Sequence, residues 1–354
     1  MTETLSSLGL LMAGATSVSN VIKDVGAKKV LDHQEVIAST FWIRVFAAVV
    51  FAGALLVRTL AGTVPSVRGG GPLFGIAAWQ LQPLPTWLIY LSIEVVLVAC
   101  STILFFRAIQ VTAISLCMPY ISFTPVFLIV TGYLMLGELP VAQKLIGVGL
   151  IFVGSIVMHW QLFAAGWLEP IKAVWRERGC LYMLLVGLIN SITNPIDKKL
   201  VGMTDAFTQA CAFGVGMVVF FTVLAFARRA DTRKVIRAAP DWIVLAGTLE
   251  AVALLFQLSS HYYIDVVITI SIKRAGIILT VLLGWLVFKE RDIGDKLIAA
   301  SVMLIGVLII YLPLTFGQGL MVAATAMVGM AAALYFTRRR PVDKLTAEPA
   351  LTEG

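Results

Sequence analysis

Two adjacent cations, Lys273 and Arg274, lie within the apolar stretch ITISIKRAGIILT (268–280). They stand about seven residues into an apolar run, which on a helix is roughly 10 Å along the axis. Charged residues inside such runs mark substrate or ion pathways by default. An ammonium beside a guanidinium, which binds two oxygens as a fork, would suit an anionic or zwitterionic group. Adjacent helical side chains point in different directions, so we expect Lys273 to make the main contact and Arg274 to support it.

Arg44, Glu94 and Glu250 are the other charged residues inside apolar runs. Arg44 is close enough to the end of its run to extend its head group to the membrane interface. Glu94 and Glu250 either neutralise buried cations such as Arg44 and Lys273 or carry a proton, because a carboxyl group in a low dielectric holds its proton more tightly. Charge pairing and proton coupling both stay open for these residues.

Several uncharged polar residues could line the same site. Asn20 and Asn194 are expected either to bond neighbouring helices or to contact a substrate. Tyr120 lies between Pro119 and Pro125, which leave backbone carbonyls without partners and are tolerated where those carbonyls line a cavity. Aromatic packing is the alternative for Tyr120.

Apolar runs of about twenty residues recur along almost the whole chain, which is typical of transmembrane helices. The 354 residues are 59% hydrophobic and 13% charged, and the charged fraction is about half that of a soluble protein. We therefore predict an all-α polytopic membrane protein. The expected spans lie at about 6–22, 38–57, 87–106, 113–136, 141–161, 180–196, 206–227, 242–262, 266–288, 294–314 and 318–336.

The sequence shows no sign of catalysis, of a cofactor or of a metal site. It has three scattered histidines and four scattered cysteines without a C-x-x-C pair, and it lacks nucleotide-binding, H-E-x-x-H and G-x-S-x-G patterns. The net charge of +7 comes from short basic clusters at helix ends, as the positive-inside rule expects, so nucleic acid is not expected as a partner.

The first ten spans contain a duplication. SVSNVIKD (17–24) matches SITNPIDK (191–198), and GYLMLGELPVAQKLI (132–146) matches GWLVFKERDIGDKLI (284–298). Five spans in each half give the second half the opposite orientation, which is the inverted repeat of many transporters. Ile121 and Ser122 stand where the second half has Lys273 and Arg274. The fold therefore does not require cations at these positions, which favours a substrate-binding role for Lys273 and Arg274.

The duplication divides the chain into five parts. We predict a first five-helix repeat at 5–161, a linker at 162–179, a second repeat at 180–314, an eleventh transmembrane helix at 315–337 and a disordered tail at 338–354.

These features resemble the EamA-like branch of the drug/metabolite transporter superfamily. The resemblance covers residues 5–314 and is carried by two five-helix halves, each with the pattern G-x-L-x-x-x-E-x5-K-L-I, by the two prolines of the fourth span and by FWIR (41–44). It implies alternating access by two inverted repeats. SIKRAG also resembles the phosphate-binding Lys-Arg pair of the distant sugar-phosphate translocators, although this chain has no lysine in its fourth span, where those proteins carry one.

We therefore expect a secondary transporter, an exporter or antiporter, of a small polar or anionic metabolite, with protons as a possible coupling ion. A lipid-headgroup flippase and a non-transporting scaffold or receptor are the alternatives. The basic residues cluster in odd-numbered loops and in the tail, which predicts an outside N-terminus and a cytoplasmic C-terminus in a bacterial inner membrane. The family resemblance implies two cytoplasmic termini instead. A monomer or homodimer is expected.

Overall fold

Helices make up nearly all of the chain that the computed structural model describes, namely residues 2–31, 35–62, 83–136, 142–157, 168, 172, 175–261, 263, 266–289, 293–312 and 314–338. The first half contains α1 (Thr2–Leu31), α2 (Val36–Leu60), α3 (Pro83–Val111), α4 (Ile114–Cys117), a 3₁₀ helix (Met118–Phe123), α5 (Thr124–Leu136) and α6 (Ala142–Val157). The second half contains α7 (Arg178–Met203), α8 (Ala206–Ala227), a short α9 (Thr232–Ala238), α10 (Pro240–Ser260), α11 (Val266–Phe288) and α12 (Ile293–Tyr311), and α13 (Phe316–Arg338) follows.

Six of these helices are long and apolar enough to cross a membrane: α2, α3, α7, α8, α10 and α13. The described residues contain no strand. The prediction of an all-α polytopic membrane protein is confirmed. Charged residues interrupt α1 and α11, so their apolar stretches are shorter, although both helices coincide with expected spans.

The two halves pack against each other reciprocally. In the first half, α1 packs on α10 and α11 of the second, and in the second half α7 packs on α3 and α5 of the first. The pairs α2–α8 and α6–α12 join equivalent helices. Two repeats related by a two-fold axis produce this pattern. Helices of both halves therefore surround a shared interior.

Two helices are longer than the sequence predicts. We expected α1 to end near residue 22 and α7 near residue 196, because the first charged residues end the apolar runs. Both helices continue for several residues, so Lys23, Lys28 and Lys29 lie within α1 rather than in a loop. The helix accommodates these charged side chains because each has a partner. Lys23 Nζ is 3.1 Å from Asp24 Oδ1, and the ammonium groups of Lys28 and Lys29 lie over the ring of Phe288.

The fourth span is broken in the first half only. A buried 3₁₀ turn, Met118–Phe123, separates α4 from α5, and Pro119 contributes to the break because it has no N–H to donate. The corresponding part of the second half, around Lys273, lies in the continuous helix α11. The two halves are therefore similar in packing but not in this element.

The eleventh predicted span is α13, which packs on the outer side of α6 and α12. Most of its large apolar side chains are exposed, as expected for a helix that faces lipid. The predicted tail beyond Arg338, most of the predicted linker and the loop at 63–82 lie outside the described residues.

The contact between α6 and α12 depends on two glycines that the duplication aligns, Gly154 and Gly306. A Cβ atom on Gly306 would lie 2.6 Å from the carbonyl oxygen of Gly147, whereas one on Gly149 would meet nothing within 4 Å. We expect Gly306→Ala to lower the free energy of unfolding by about 1–3 kcal/mol. Gly149→Ala, on α6, is the matched control and should not lower it. Thermal unfolding of the purified protein in detergent measures both, and equal melting temperatures would contradict this packing.

Candidate functional site

A cavity of about 200 Å³ lies between the two halves. Its wall combines polar and apolar side chains from helices of both halves. Within the described residues, the charged side chains of this wall are Lys23, Arg44 and Lys273, which are cations, and Asp24, Glu94, Asp197 and Glu250, which are carboxyl groups.

Arg44 and Glu250 form an ion pair between α2 and α10, through Arg44 Nη1 and Glu250 Oε1. Arg44 Nη2 also donates to Thr102 Oγ1 of α3 at 2.6 Å, while the Thr102 hydroxyl donates to the carbonyl of Val98. Arg44 is therefore held inside the protein and does not extend to the membrane interface. Its Nε atom and Glu250 Oε2 are buried without a hydrogen-bond partner in the protein.

Lys273 faces the cavity from the second turn of α11. Its Nζ atom donates to Gln257 Oε1 of α10 at 2.7 Å, and Ser17 Oγ of α1 donates to its carbonyl oxygen at 3.4 Å. Gly276, one turn further on, permits this approach, because a Cβ there would lie 2.5 Å from Ser17 Oγ. Arg274 follows on the same helix, but its side chain lies outside the described residues.

Glu94 is surrounded by different groups from those around Glu250. Trp87 Nε1 donates to Gln209 Oε1 at 3.0 Å, and Gln209 Nε2 donates to Glu94 Oε2, also at 3.0 Å. Because an indole N–H can only donate, this contact fixes which end of the Gln209 amide faces Glu94. Asp197 of α7 is buried in the same cavity wall.

Asp205 positions Gln209 near the start of α8. The Asp205 carboxylate caps this helix by accepting from the backbone N–H groups of Phe207 and Thr208 at 3.0 and 3.2 Å. It also pairs with Arg58 of α2 at 2.7 Å. The cap holds the tight turn between α7 and α8 and thereby places Gln209, in the first turn, beside α3.

Both predicted asparagines line the cavity. Asn20 Nδ2 donates to the carbonyl of Thr16 at 2.9 Å within α1. Tyr120 is placed differently: it is fully buried in the apolar core, with its ring stacked on Phe123 at a centroid distance of 6.3 Å. It does not line the cavity, so the packing alternative describes its position.

The sequence analysis did not assign five residues that line or support the cavity: Lys23, Asp24, Asp197, Gln209 and Gln257. The first three lie in the matched segments SVSNVIKD and SITNPIDK, so extending those spans to about twenty residues would have placed these charges in the membrane. The two glutamines carry no charge, and the sequence marks neither.

The described part of the chain holds no group of three or more His, Cys, Asp or Glu placed to bind a metal ion. The cavity wall combines the Arg44–Glu250 ion pair with amide side chains such as Gln257 and Asn194, which can hydrogen-bond a polar solute.

Comparison with known proteins agrees with this architecture. The sequence profile of the EamA-like transporter family matches residues 7–160 and again residues 177–312, one match for each half. The chain belongs to the EamA-like transporter family. Members of this family are membrane transporters of small solutes rather than enzymes, and this protein is a multi-pass membrane protein.

Among solved structures, 23 chains match this EamA-like protein. One of them, described only as a crystal structure of a protein, has a TM-score of 0.51 at 13% sequence identity, and the alignment covers 87% of this chain and 95% of that one. At this identity the match shows the shared fold. No curated protein shows a significant sequence match.

The Arg44–Glu250 pair gives a stability test. Removing one partner leaves the other charge buried alone, which costs about 3–5 kcal/mol, whereas replacing both by apolar residues is often nearly neutral. We expect Arg44→Leu to lower the melting temperature strongly and the double variant with Glu250→Leu to recover much of the loss. Thermal unfolding of the purified variants checks this, and a double variant less stable than both singles would argue against the pair.

Proposed function

We propose that this EamA-like protein is a secondary transporter, an exporter or exchanger, that carries a small polar solute by alternating access. The observation that carries the proposal is the small cavity between the two halves, whose wall holds charges of both signs. In inverted-repeat transporters the binding site lies at the interface of the repeats, where rocking of one half against the other exposes it to each side in turn.

The wall favours a zwitterionic solute over a simple anion. Arg44 Nε offers an unused N–H and Glu250 Oε2 an unused acceptor, and buried polar atoms of this kind are normally satisfied by water or by a ligand. A solute with both an acceptor and a donor would satisfy both atoms. The cations of the wall are matched by carboxyl groups, so the site has no large excess of positive charge.

Lys273 supplies the best-placed cation for an anionic part of the solute. Its equivalent in the first half is Ile121, so the repeated fold does not require a cation at this position. The Lys273 Nζ atom donates to the uncharged Gln257. An ammonium group donates up to three hydrogen bonds and can bind an anionic oxygen directly. Lys273 also lies close enough to Asp24 and Asp197 to interact with their charges.

Lys273→Ala tests this site. A thermal-shift screen of the purified protein against amino acids, betaines, organic acids, sugar phosphates and lipid headgroups should identify solutes that raise the melting temperature. The variant should bind them about tenfold or more weakly, since a hydrogen bond to a charged group contributes about 1.5–3 kcal/mol. Lys234→Ala, on the exposed surface of α9, is the charge-matched control.

Equal shifts in the wild type and in Lys273→Ala would contradict the assignment. A response to lipid headgroups alone would favour a flippase, and no response or flux with a stable protein partner would favour a scaffold.

The positions of the basic residues support a bacterial inner-membrane orientation with an outside N-terminus and a cytoplasmic C-terminus. The C-terminal end of α1 lies beside α9, since Val30 and Val235 belong to one apolar cluster, and Lys28 lies over Phe288 at the end of α11. One face therefore collects most of the basic residues. From that face α12 crosses to the opposite side and α13 returns, so Arg338 lies on the basic face.

A reporter fused to the C-terminus checks this orientation. We expect a fluorescent protein, which is bright only in the cytoplasm, to be fluorescent there, and alkaline phosphatase, which is active only outside, to be inactive at the same position. The reverse result would overturn the proposed orientation without affecting the proposed transport.

A further inference from the structure

Helix α13 lies close to α6 and α12 at its beginning and leaves space beside it further along. A Cβ atom on Gly319 would lie 3.6 Å from Ile309 Cγ2 of α12 and 3.7 Å from Ile146 Cδ1 of α6. A Cβ atom on Gly329 would meet nothing within 4 Å. These two glycines are about 15 Å apart along the helix axis. The second part of α13 therefore borders an open space.

This space is a groove of about 810 Å³ between α12 and α13. Leu297, Ile298 and Ile305 belong to the wall that α12 provides. The opposite wall is one face of α13, where residues spaced three or four apart lie next to each other. Its small members are Thr325, Ala326, Gly329 and Ala333. Larger side chains at these positions would fill the groove.

The lining of the groove is mainly apolar. Within the described residues no charged side chain lines it, and its polar side chains are Ser301, Gln318 and Thr325. Thr325 Oγ1 donates to the carbonyl oxygen of Met321 at 2.8 Å. Gln318 Oε1 accepts from the backbone N–H of Thr315 at 2.9 Å. Because two of the three polar side chains already have partners nearby in the chain, the groove suits an apolar occupant.

The groove lies within the thickness of the membrane. The apolar span Phe316–Ala333 includes every residue of α13 that lines it. From Gln318 to Ala333 the groove is about 22 Å long, which is most of the roughly 30 Å of a hydrocarbon core. Met321 lines the groove and is 74% exposed, so the groove is open towards the surrounding lipid. Apolar cavities do not retain water, and hydrocarbon is the material available to fill this one.

The width of the groove excludes a helix as its occupant. A volume of about 810 Å³ over this length corresponds to a mean width of about 6–7 Å, whereas a helix with its side chains is about 10–12 Å across. A transmembrane helix of a second copy therefore does not fit inside. An extended peptide is thinner, but its backbone N–H and C=O groups would lack partners in hydrocarbon.

An acyl chain satisfies both conditions, because it is thinner than a helix and has no hydrogen-bonding group along its length. The groove has room for about 27 groups of the size of a water molecule, at about 30 Å³ each, and a methylene group has a similar size. This volume is sufficient for the acyl chains of one phospholipid. The end of the groove at Leu297 and Ala333 points towards the basic face, where α12 begins and α13 ends.

We propose that the groove between α12 and α13 binds one membrane phospholipid, whose acyl chains fill the groove and whose headgroup lies at the basic face. The lipid is a structural ligand that joins α13 to α12. Among the described residues, none lines both this groove and the cavity between the halves. The lipid site therefore does not depend on the proposed transport function.

Native mass spectrometry of the purified full-length protein tests this site, because a bound lipid adds its mass to that of the protein. We expect the wild type, released from detergent micelles, to retain one phospholipid. In Gly329→Phe the ring fills the width of the groove, and the lipid-bound fraction should fall at least tenfold. An added Cβ at this position meets no neighbour, so the variant should fold.

Gly317→Phe is the matched control. Gly317 lies on the same helix, an added Cβ there would also meet nothing within 4 Å, and the residue does not line the groove. This variant should retain the phospholipid as the wild type does. Ala326→Phe, at a second groove position, repeats the test if gel filtration shows that Gly329→Phe does not fold.

Thermal unfolding gives a second measurement. Phosphatidylglycerol added to delipidated protein should raise the melting temperature of the wild type and of Gly317→Phe, because it fills the empty groove, but not that of Gly329→Phe. Glycerol phosphate, which has a phosphate but no acyl chain, should raise none of them.

A wild type that retains no phospholipid, or equal retention in the wild type and in Gly329→Phe, would overturn the proposal. Equal losses in Gly329→Phe and Gly317→Phe would also overturn it, since they would indicate lipid bound non-specifically around the protein. A dimeric wild type that becomes monomeric in Gly329→Phe would assign this face to a second copy instead. Absence of solute flux would count against the proposed transport and leave these results unchanged.

Discussion

The burial of charge is the constraint on which the rest of this structure depends. Seven ionisable side chains line one small cavity, and each of them alone would be strongly unfavourable in a low dielectric. They are tolerated because six different helices bring opposite charges, amides and hydroxyls together. The Arg44–Glu250 pair, extended by Thr102, joins α2, α10 and α3 in this way. The packing of the halves and the pairing of charges in the cavity therefore support each other.

The repeat shows how a duplicated scaffold acquires a specific site. Equivalent helices make equivalent contacts in the two halves, so the scaffold itself is nearly symmetric. The second helix of each half also supplies a partner to the glutamate of the opposite half, which is Arg44 for Glu250 and Gln209 for Glu94. The chemical differences are confined to single positions, such as Lys23 against Asp197 and Ile121 against Lys273.

The fold and the central charges could be predicted from the sequence, because apolar length and isolated charges are local signals. Arg44, Glu94, Glu250 and Lys273 were found since each interrupts an apolar run, and all four line the cavity. Asp197 was not predicted because the apolar run ends directly before it. A sequence defines the end of a helix poorly where an apolar run meets its first charged residue. Which glutamate pairs with Arg44 could not be predicted, since that depends on how α2 crosses α10 and α3. Tyr120 was assigned to a cavity because of its neighbouring prolines, but the direction of its side chain follows from packing on Phe123.

The 3₁₀ turn at Met118–Phe123 interrupts the fourth span of one half, while α11 is continuous in the other. In a transporter built from two identical inverted halves, the inward-open and outward-open states would be related by a two-fold rotation and would have equal free energies. A broken helix bends more readily than a continuous one, so opening towards one side deforms a softer element than opening towards the other. In the proposed alternating access, the empty protein would therefore populate its two states unequally, and this inequality would set which side of the membrane offers the solute its first access to the cavity.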